Sequence, residues 1–243
     1  MIAVQHVSVA LEGQTILHDV SFGVRSGTVA GYVGPNGAGK TTTLRLLTGT
    51  LEPAEGQVIV AGIDIAKDPL AAKQRFGYVP EHGHLYESFT PTEYMAFIGR
   101  MHGLSENLIA HRTKALLEFW GLGEETHKAM IGFSKGMKQK VLISAALLHE
   151  PDVLLLDEPL NGLDAHAVLQ VRALLRAQAK SGKTVFYSSH LLDAVEKVAD
   201  QVIVIRGGRI IRDGSPAEII ADSGEGTLEE AFSRLTAAED AAA

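Results

Sequence analysis

A glycine-rich stretch that ends in a lysine and two threonines carries the most specific chemistry in this sequence. It matches the pattern G-x-x-x-x-G-K-[ST] in full and consists of Gly34, Pro35, Asn36, Gly37, Ala38, Gly39, Lys40, Thr41 and Thr42. Such a loop can turn successive N–H groups inward, and the positive end of a following helix dipole also attracts phosphate oxygens. Lys40 supplies a charge for the β- and γ-phosphates, and the Thr41 hydroxyl suits Mg²⁺. The sequence therefore predicts a site for a nucleotide and Mg²⁺.

The residues on either side of this loop are of the kind that a phosphate loop requires. An apolar run at 29–33 precedes the loop, and a helical pattern at 42–47 follows it and is closed by Gly49. From average residue usage, a chance match to the loop alone has a probability of about one per cent. Because strand, loop and helix also follow in the right order, an accidental glycine turn is a poor alternative.

Two adjacent carboxylates form a second candidate for chemistry. Asp157 and Glu158 follow an apolar run at 153–156 and precede Pro159. Carboxylates at the end of a buried strand are costly unless a cation compensates them. In a protein with a phosphate loop, the first acid can hold Mg²⁺, directly or through water, and the second can polarise an attacking water. The alternative is a solvated turn after a strand, which the phosphate loop makes much less favourable.

Composition and charge limit the classes of function. The chain has 243 residues, 46% of them hydrophobic, which is enough for one large domain or two closely packed lobes. It has no cysteine, and its net charge of −7 argues against nucleic acid as the main partner. The start of the sequence does not resemble a signal peptide, and no apolar run of about 18 residues occurs. We therefore expect any work at a membrane to depend on a partner.

The remaining sequence divides into a strand-rich beginning, a helical middle and an end in which strands and helices alternate. The predicted strands lie at 2–9, 16–24, 57–61, 76–80, 153–156, 185–188 and 202–205, and helical patterns lie at 91–149 and 165–180. A short helix is predicted after 223, with Leu228, Phe232 and Leu235 on one side, and it ends in a frayed alanine-rich terminus. Continuous apolar strands that alternate with helices predict a parallel sheet covered on both faces.

Several motifs together resemble the ATP-binding subunit of ABC transporters. The motifs are the phosphate loop, Phe133-Ser134-Lys135-Gly136-Met137, the acid pair, the segment 161–164 and His190. The resemblance covers residues 2–223, and the tail at 227–232 looks like the ending of ABC-2-class exporter subunits. It implies an α/β fold: a P-loop NTPase (RecA-like) parallel-sheet core with an N-terminal antiparallel β part and an inserted helical subdomain. The implied domains are 1–222, with the helical subdomain at about 82–150, and a C-terminal helix and tail at 223–243.

The resemblance also implies roles for residues that carry no chemistry by themselves. It implies that two copies dimerise head to tail and trap two ATP molecules between the phosphate loop of one copy and the signature segment of the other. That segment comprises Ser134, Lys135, Gly136 and Met137. Ser134 can equally be an ordinary N-cap, and both roles can hold. His190 would sense the γ-phosphate, although a lone histidine is more often structural. Asp164 would either cross the dimer interface or cap the following helix.

Three departures from the family pattern affect these expectations. The signature usually reads Leu-Ser-Gly-Gly-Gln, whereas the variant at 133–137 resembles ABC-2-type exporters. Glu81 stands where the family usually has glutamine, and its carboxylate can still ligate Mg²⁺ or the water bound to it. The aromatic residue on which adenine normally stacks is replaced by Leu11.

The resulting hypothesis is an ATPase subunit that drives a membrane exporter. Its expected substrate and cofactor are ATP and Mg²⁺, and its expected partners are a second copy and an integral membrane permease, at the cytoplasmic face of the cell membrane. Glu158 and His190 would be catalytic, and Thr41, Glu81 and Asp157 would surround the metal. The alternative is a soluble ABC-type ATPase that acts in translation or DNA maintenance without a permease. A P-loop kinase or GTPase would leave the signature and His190 without a role.

Overall fold

The computed structural model describes residues 1–83 and 85–242 as strands, helices and the loops between them. In chain order the strands are β1 (Ile2–Leu11), β2 (Gln14–Val24), β3 (Val29–Val33), β4 (Glu55–Val60), β5 (Ile63–Asp64), β6 (Phe76–Val79), β7 (Val153–Asp157), β8 (Thr184–Ser189), β9 (Gln201–Arg206) and β10 (Arg209–Gly214). The helices are α1 (Lys40–Leu47), α2 (Pro69–Lys73), α3 (Pro91–Met101), α4 (Glu106–Phe119), α5 (Lys135–Leu147), α6 (Ala165–Lys180), α7 (Leu192–Val198), α8 (Pro216–Ser223) and α9 (Leu228–Ala242).

The strands form two sheets that pack face to face. The first sheet is antiparallel, with the order β2-β1-β4-β5. The second has the order β10-β9-β3-β8-β7-β6, and its strands are parallel except for β10, which runs antiparallel to β9. This architecture confirms the predicted α/β fold with an antiparallel part and a parallel core.

Alternation of side chains along the parallel strands produces two hydrophobic cores. In β3, Ala30 and Tyr32 face the antiparallel sheet, whereas Val29 and Val33 face the helices on the other side. Between the sheets, the ring of Phe186 stacks on Phe22 at 5.7 Å and contacts Tyr32 at 5.1 Å. Since both faces are covered, β3 and β8 are buried along their whole length, as their continuous apolar sequences predict.

A helical lobe, α3 to α5, is inserted between β6 and β7, within the predicted range 82–150. Helix α3 begins with a capping box in which Thr90 and Glu93 each bond the backbone N–H of the other. Buried Met95, Leu117 and Met130 join this lobe to the helical side of the core. The exact domain boundaries stay a prediction.

The chain ends on helices α8 and α9, which pack against each other and against the core. Leu228 is fully buried, and Phe232 and Leu235 pack against the same core, so the predicted apolar face of this helix is confirmed. The predicted frayed terminus includes Ala243, which lies outside the described residues. No helix in the described part of the chain is both long enough and apolar enough to cross a membrane.

Candidate active site

The phosphate loop connects the carboxyl end of β3 to the start of α1. Gly39 occupies the N-cap position in the left-handed region, at φ 111°, and no side chain caps the helix. A Cβ atom on Gly39 would lie 2.6 Å from Cδ2 of Leu17, so this position requires glycine for both its conformation and its space. Because no side chain occupies the helix N-terminus, its first N–H groups can serve a bound anion.

Lys40 holds its charge inside the loop. The side chain is largely buried, and its Nζ donates hydrogen bonds to the carbonyls of Gly34 at 2.7 Å and Pro35 at 3.2 Å. These two carbonyl oxygens stabilise the ammonium group by hydrogen bonding, and because they carry no net charge they leave its positive charge in place. The loop therefore presents a fixed positive charge to a ligand.

The two acids lie at the end of β7, beside the end of β8. Asp157 is 2% exposed, and Glu158 is 6% exposed. The Ser188 hydroxyl donates to Oδ1 of Asp157 at 2.5 Å and accepts the backbone N–H of Glu158 at 3.0 Å. Ser188 thus orients the Asp157 carboxylate and the backbone of Glu158, a role that the sequence did not predict. The signal for it is the parallel register that pairs Asp157 with Ser188, which depends on knowing that β7 and β8 are neighbours.

Burial raises the pKa of Asp157 above its ordinary value. The carboxylates of Glu81 and Glu158 add to this effect, and hydrogen bonds from Ser188 and Thr41 partly oppose it. A buried carboxylate beside two others is a favourable position for a cation. Thr41, Glu81 and Asp157 all line one cavity, so the predicted metal residues are brought together.

The donor set of this cavity suits Mg²⁺ better than a metal held by protein alone. Among the described residues there is no group of three or more His, Asp and Glu side chains arranged to hold a metal ion. Mg²⁺ usually takes one or two carboxylates and completes its shell with waters and substrate phosphates. The hydroxyl and carboxylates present here fit that mode of binding.

Glu158 is joined directly to His190. Its Oε2 lies 2.9 Å from Nδ1 of His190 and 3.4 Å from the backbone nitrogen of the same residue. Glu158 itself has φ 47°, which is unusual for a residue with a side chain and is typical of strained functional positions. The arrangement supplies a buried carboxylate whose partner, a half-exposed imidazole, faces the cavity.

These groups surround a single cavity of about 670 Å³. From the predicted site it contains Gly34, Pro35, Asn36, Gly37, Gly39, Lys40, Thr41, Thr42, Glu81, Asp157, Glu158 and His190, and to these the structure adds Ile16, Ser189, Leu192 and Phe232. Ala38 is buried beneath the loop and packs in the core between the sheets. Leu11 ends β1 outside the cavity, and Ile16 provides an apolar wall instead.

The signature segment does not line this cavity. Ser134 is exposed and caps α5, where its hydroxyl accepts the N–H of Met137 at 3.2 Å. Lys135 and Gly136 lie close to the turn at Gly162. The approach at Gly136 is tight, since a Cβ atom added there would be 3.0 Å from the Gly162 carbonyl oxygen. Ser134 and Lys135 thus face outward on a surface separate from the cavity, whereas Met137 is partly buried and packs against the core.

Asp164 acts as a helix cap in this structure. Its carboxylate accepts the N–H of Ala167 at 2.8 Å at the start of α6. This hydrogen bond is the main reason why the pKa of Asp164 is lowered. Of the two predicted roles, capping is observed, and a contact across a dimer stays a prediction.

The family profile and the individual proteins that this chain resembles agree with one another. A family profile described as "ABC transporter" matches residues 17–161. The ABC transporter ATP-binding protein NatA of Bacillus subtilis is 39% identical over 201 residues, which cover 82% of this chain and 81% of that protein. A Nod factor export ATP-binding protein I of Ralstonia nicotianae is 38% identical over 207 residues, which cover 85% of this chain and 64% of the relative.

Among solved structures, one described as an ATP binding subunit of an ABC transporter superposes with a TM-score of 0.92. It is 33% identical in sequence, and the match covers 97% of this chain and 99% of that chain. The similarity therefore extends to both sheets, the helical lobe and the C-terminal helices.

Proposed function

Because the chain belongs to the ABC transporter family as an ATP-binding subunit that hydrolyses ATP, we propose that it works as a head-to-tail dimer that drives export through a separate permease subunit. One observation carries the dimer: the cavity holds Lys40 and Glu158, whereas the exposed signature at Ser134 lies outside it. A second copy can bring the signature to the open side of the cavity. The name of the Nod factor export relative supports the direction of transport.

In this proposal the chain's own residues divide the work of hydrolysis. Lys40 and the N–H groups at the start of α1 bind the phosphates. Glu158 would polarise the attacking water. His190 holds the Glu158 carboxylate and would contact the γ-phosphate. Thr41, Glu81 and Asp157 would hold Mg²⁺, directly or through water. The cation, when bound, offsets negative charge on the β- and γ-phosphate oxygens.

The signature completes the site from the partner. The Ser134 hydroxyl and the first N–H groups of α5 in one copy would meet the γ-phosphate held by Lys40 in the other. ATP is then part of the interface, and hydrolysis removes the shared contacts. The dimer should therefore form with ATP and separate after turnover.

Replacing Glu158 with glutamine tests this proposal. Glutamine keeps the size and hydrogen bonding of Glu158 but cannot act as an anionic base, so binding should survive while turnover falls by about two to four orders of magnitude. Light scattering with Mg²⁺ and ATP should then show a persistent dimer for Glu158→Gln and a transient one for the wild type. Moderate salt is required because each copy carries a net charge of −7, and low salt lengthens the range of repulsion.

The double variant Glu158→Gln with Ser134→Arg is the matched control. Its phosphate site is the same as in the single variant, but a large side chain occupies the proposed interface. A single variant that stays monomeric, or a double variant that dimerises equally well, would contradict the head-to-tail dimer.

An aromatic cluster on the helical lobe is our candidate for permease docking. Tyr86, Phe89 and Phe97 contact one another with ring centroids 5.4, 5.7 and 6.4 Å apart. Tyr86 is 56% exposed and Phe97 37% exposed, while Leu85 and Tyr94 of the same stretch are buried in the core. Phe89 and Phe97 also line an open groove of about 630 Å³. Exposed aromatic side chains along a groove suit the apolar face of a cytoplasmic permease helix.

Polar replacement of Tyr86 and Phe89 separates this proposal from an ATPase that works without a permease. The variant should lose transport and recovery with the membrane fraction in cells that carry the permease, and its ATPase activity in solution should persist. Leu169→Ser, at another exposed apolar side chain, is the control. Unchanged membrane recovery of the variant would contradict docking through this cluster, and absence of the wild type itself from the membrane fraction would favour the permease-free alternative. Loss of folding would show that the cluster is part of the core.

A further inference from the structure

The C-terminal helix contributes a wall of the phosphate cavity. Phe232 of α9 lines the cavity that also contains Lys40 and His190, although it lies 42 residues after His190 in the chain. Phe232, which the sequence placed only on the apolar side of a C-terminal helix and in a family-like ending, therefore reaches the candidate active site. No role proposed above uses this contact.

Helix α9 is attached firmly to α7. The backbone N–H of Leu228 donates to Oε2 of Glu196 in α7 at 2.8 Å. Leu228 and Ala231 are fully buried in the core on the helical side, and Phe232 packs against that core at the edge of the cavity. The first turn of α9 is thus held in a fixed position beside α7.

Helix α7 depends on this packing because the helix would not be stable in isolation. It has seven residues, and its N-terminus has no side-chain cap. Isolated helices of this length are not stable in water, so tertiary packing sets the position of α7. Its first residue, Leu192, is 9% exposed, lies in the same core as Phe232 and lines the same cavity. Leu192 is two residues after His190, so the position of α7 also sets that of His190.

We propose that Phe232 is a positioning residue for ATP hydrolysis: it closes the cavity beside Leu192 and holds the turn that carries His190 against Glu158. The inference rests on the proposed catalytic roles of Glu158 and His190. It assigns the C-terminal helix a function in catalysis in addition to its packing. Loss of the Phe232 ring should leave the phosphate loop intact and loosen the contact between His190 and Glu158.

Phe232→Ala, with Leu235→Ala as the matched control, tests this role. Both changes truncate a partly buried apolar side chain of α9 that packs on the same core, but only Phe232 lines the cavity. We expect Phe232→Ala to lower kcat by roughly ten- to a hundredfold, with the KM for ATP within about twofold. Leu235→Ala should keep kcat near that of the wild type, and Phe232→Tyr should recover most of it.

Two further measurements connect the effect to His190. Adding Phe232→Ala to His190→Ala should lower kcat no further, because both changes remove the same contact. In ¹⁵N-histidine NMR spectra without nucleotide, the His190 resonance, assigned with His190→Ala, should shift in Phe232→Ala and stay in place in Leu235→Ala. Circular dichroism checks that the variants fold.

The outcomes separate this inference from the proposed function. Equal loss of kcat in Phe232→Ala and Leu235→Ala, additive losses with His190→Ala, or normal kcat in Phe232→Ala would overturn the role of Phe232. If Phe232→Ala fails to fold, a Phe232→Leu variant that has lowered kcat and a shifted His190 resonance would support the role, and one without either change would overturn it. Full turnover in Glu158→Gln would instead overturn the proposed role of the acid, and the inference with it.

Discussion

The N-termini of helices α1 and α5 are both candidate contacts for phosphate, but their surroundings in the fold differ. Helix α1 begins inside a cavity, at a left-handed glycine, with no side chain on its first N–H groups. Helix α5 begins on an exposed surface, and the Ser134 hydroxyl already accepts one of its N–H groups. The first N-terminus is open to a ligand, whereas at the second the cap already bonds one of the N–H groups.

This difference supports the proposal that the motif at α1 binds nucleotide by itself and that the motif at α5 acts only together with a partner surface. At α1 the buried Lys40 and the neighbouring acids line the cavity on several sides. At α5 only a hydroxyl and a few N–H groups are available, and water competes for them. We therefore expect changes at α1 to abolish nucleotide binding and changes at α5 to affect stability and assembly.

The largest effect should come from Gly39→Ala. Alanine at φ 111° is strained, and its Cβ would overlap Leu17, so the loop must distort. We expect ATP affinity to fall by at least about a hundredfold, or roughly 2.7 kcal/mol. Titration with a fluorescent ATP analogue measures this change. Gly132→Ala, just before the signature, is the control because its Cβ would meet no atom within 4 Å; a similar loss there would contradict the comparison.

Ser134→Ala should have a smaller and different effect. Removing the cap of α5 should lower the free energy of unfolding by about 1 kcal/mol. The ATP affinity of the single subunit should stay within about twofold of the wild type, because Ser134 lies outside the cavity. Urea unfolding and nucleotide titration measure the two quantities. Ser105→Ala, at a helix start where the serine side chain makes no capping bond, should cost less. Weaker ATP binding by the Ser134→Ala monomer would contradict this expectation, because it would show that the signature surface affects the nucleotide cavity of the same chain.

Asp157→Asn should stabilise the nucleotide-free protein. Since burial raises the pKa of Asp157, the folded state binds more protons than the unfolded state between the ordinary and the raised pKa, and stability falls as pH rises through that interval. At neutral pH the variant, which keeps an acceptor for Ser188, should gain about 1 kcal/mol. At a pH below the ordinary aspartate pKa of about 4, the gain should disappear.

Urea unfolding at both pH values, without Mg²⁺, measures this effect. The control is Asp164→Asn at the exposed cap of α6. A hydrogen bond lowers the pKa of Asp164, so its carboxylate stabilises the fold above its ordinary pKa, and the variant should change stability slightly in the opposite direction. A gain for Asp157→Asn that is the same at both pH values would show that charge is not its cause.

The smallest effect should be the choice between ATP and GTP. Leu11 has no aromatic ring, and stacking on a base contributes about 1–3 kcal/mol where it occurs in nucleic-acid binding. Ile16 lines the cavity, and its apolar side chain would contact either base without recognising the polar groups on the base edges. The two affinities, measured by competition, should differ by less than about fivefold, or roughly 1 kcal/mol. A preference above about a hundredfold would mean that another residue recognises adenine.

The sequence predicted most of the fold because its signals were local. Helix α6 has the predicted range, and the phosphate loop follows a buried strand as predicted. It missed β10, an edge strand that pairs with the adjacent strand β9, and α7, a short helix whose position depends on packing against elements distant in the chain. It also predicted the start of α1 two residues late, because Lys40 and Thr41 belong to both the loop motif and the helix.

By itself, the sequence predicted the chemistry: the phosphate loop and the acid pair are short motifs whose residue types and spacing indicate their function, whereas the role of His190 followed only from the family resemblance. Only the tertiary structure decided which distant residues join them. Ser188 reaches both acids through the parallel pairing of β7 with β8, and Phe232 reaches the cavity through the packing of α9 on α7. Such contacts follow from strand order and helix packing, which depend on the burial of the whole chain and leave no pattern in a local stretch of residues.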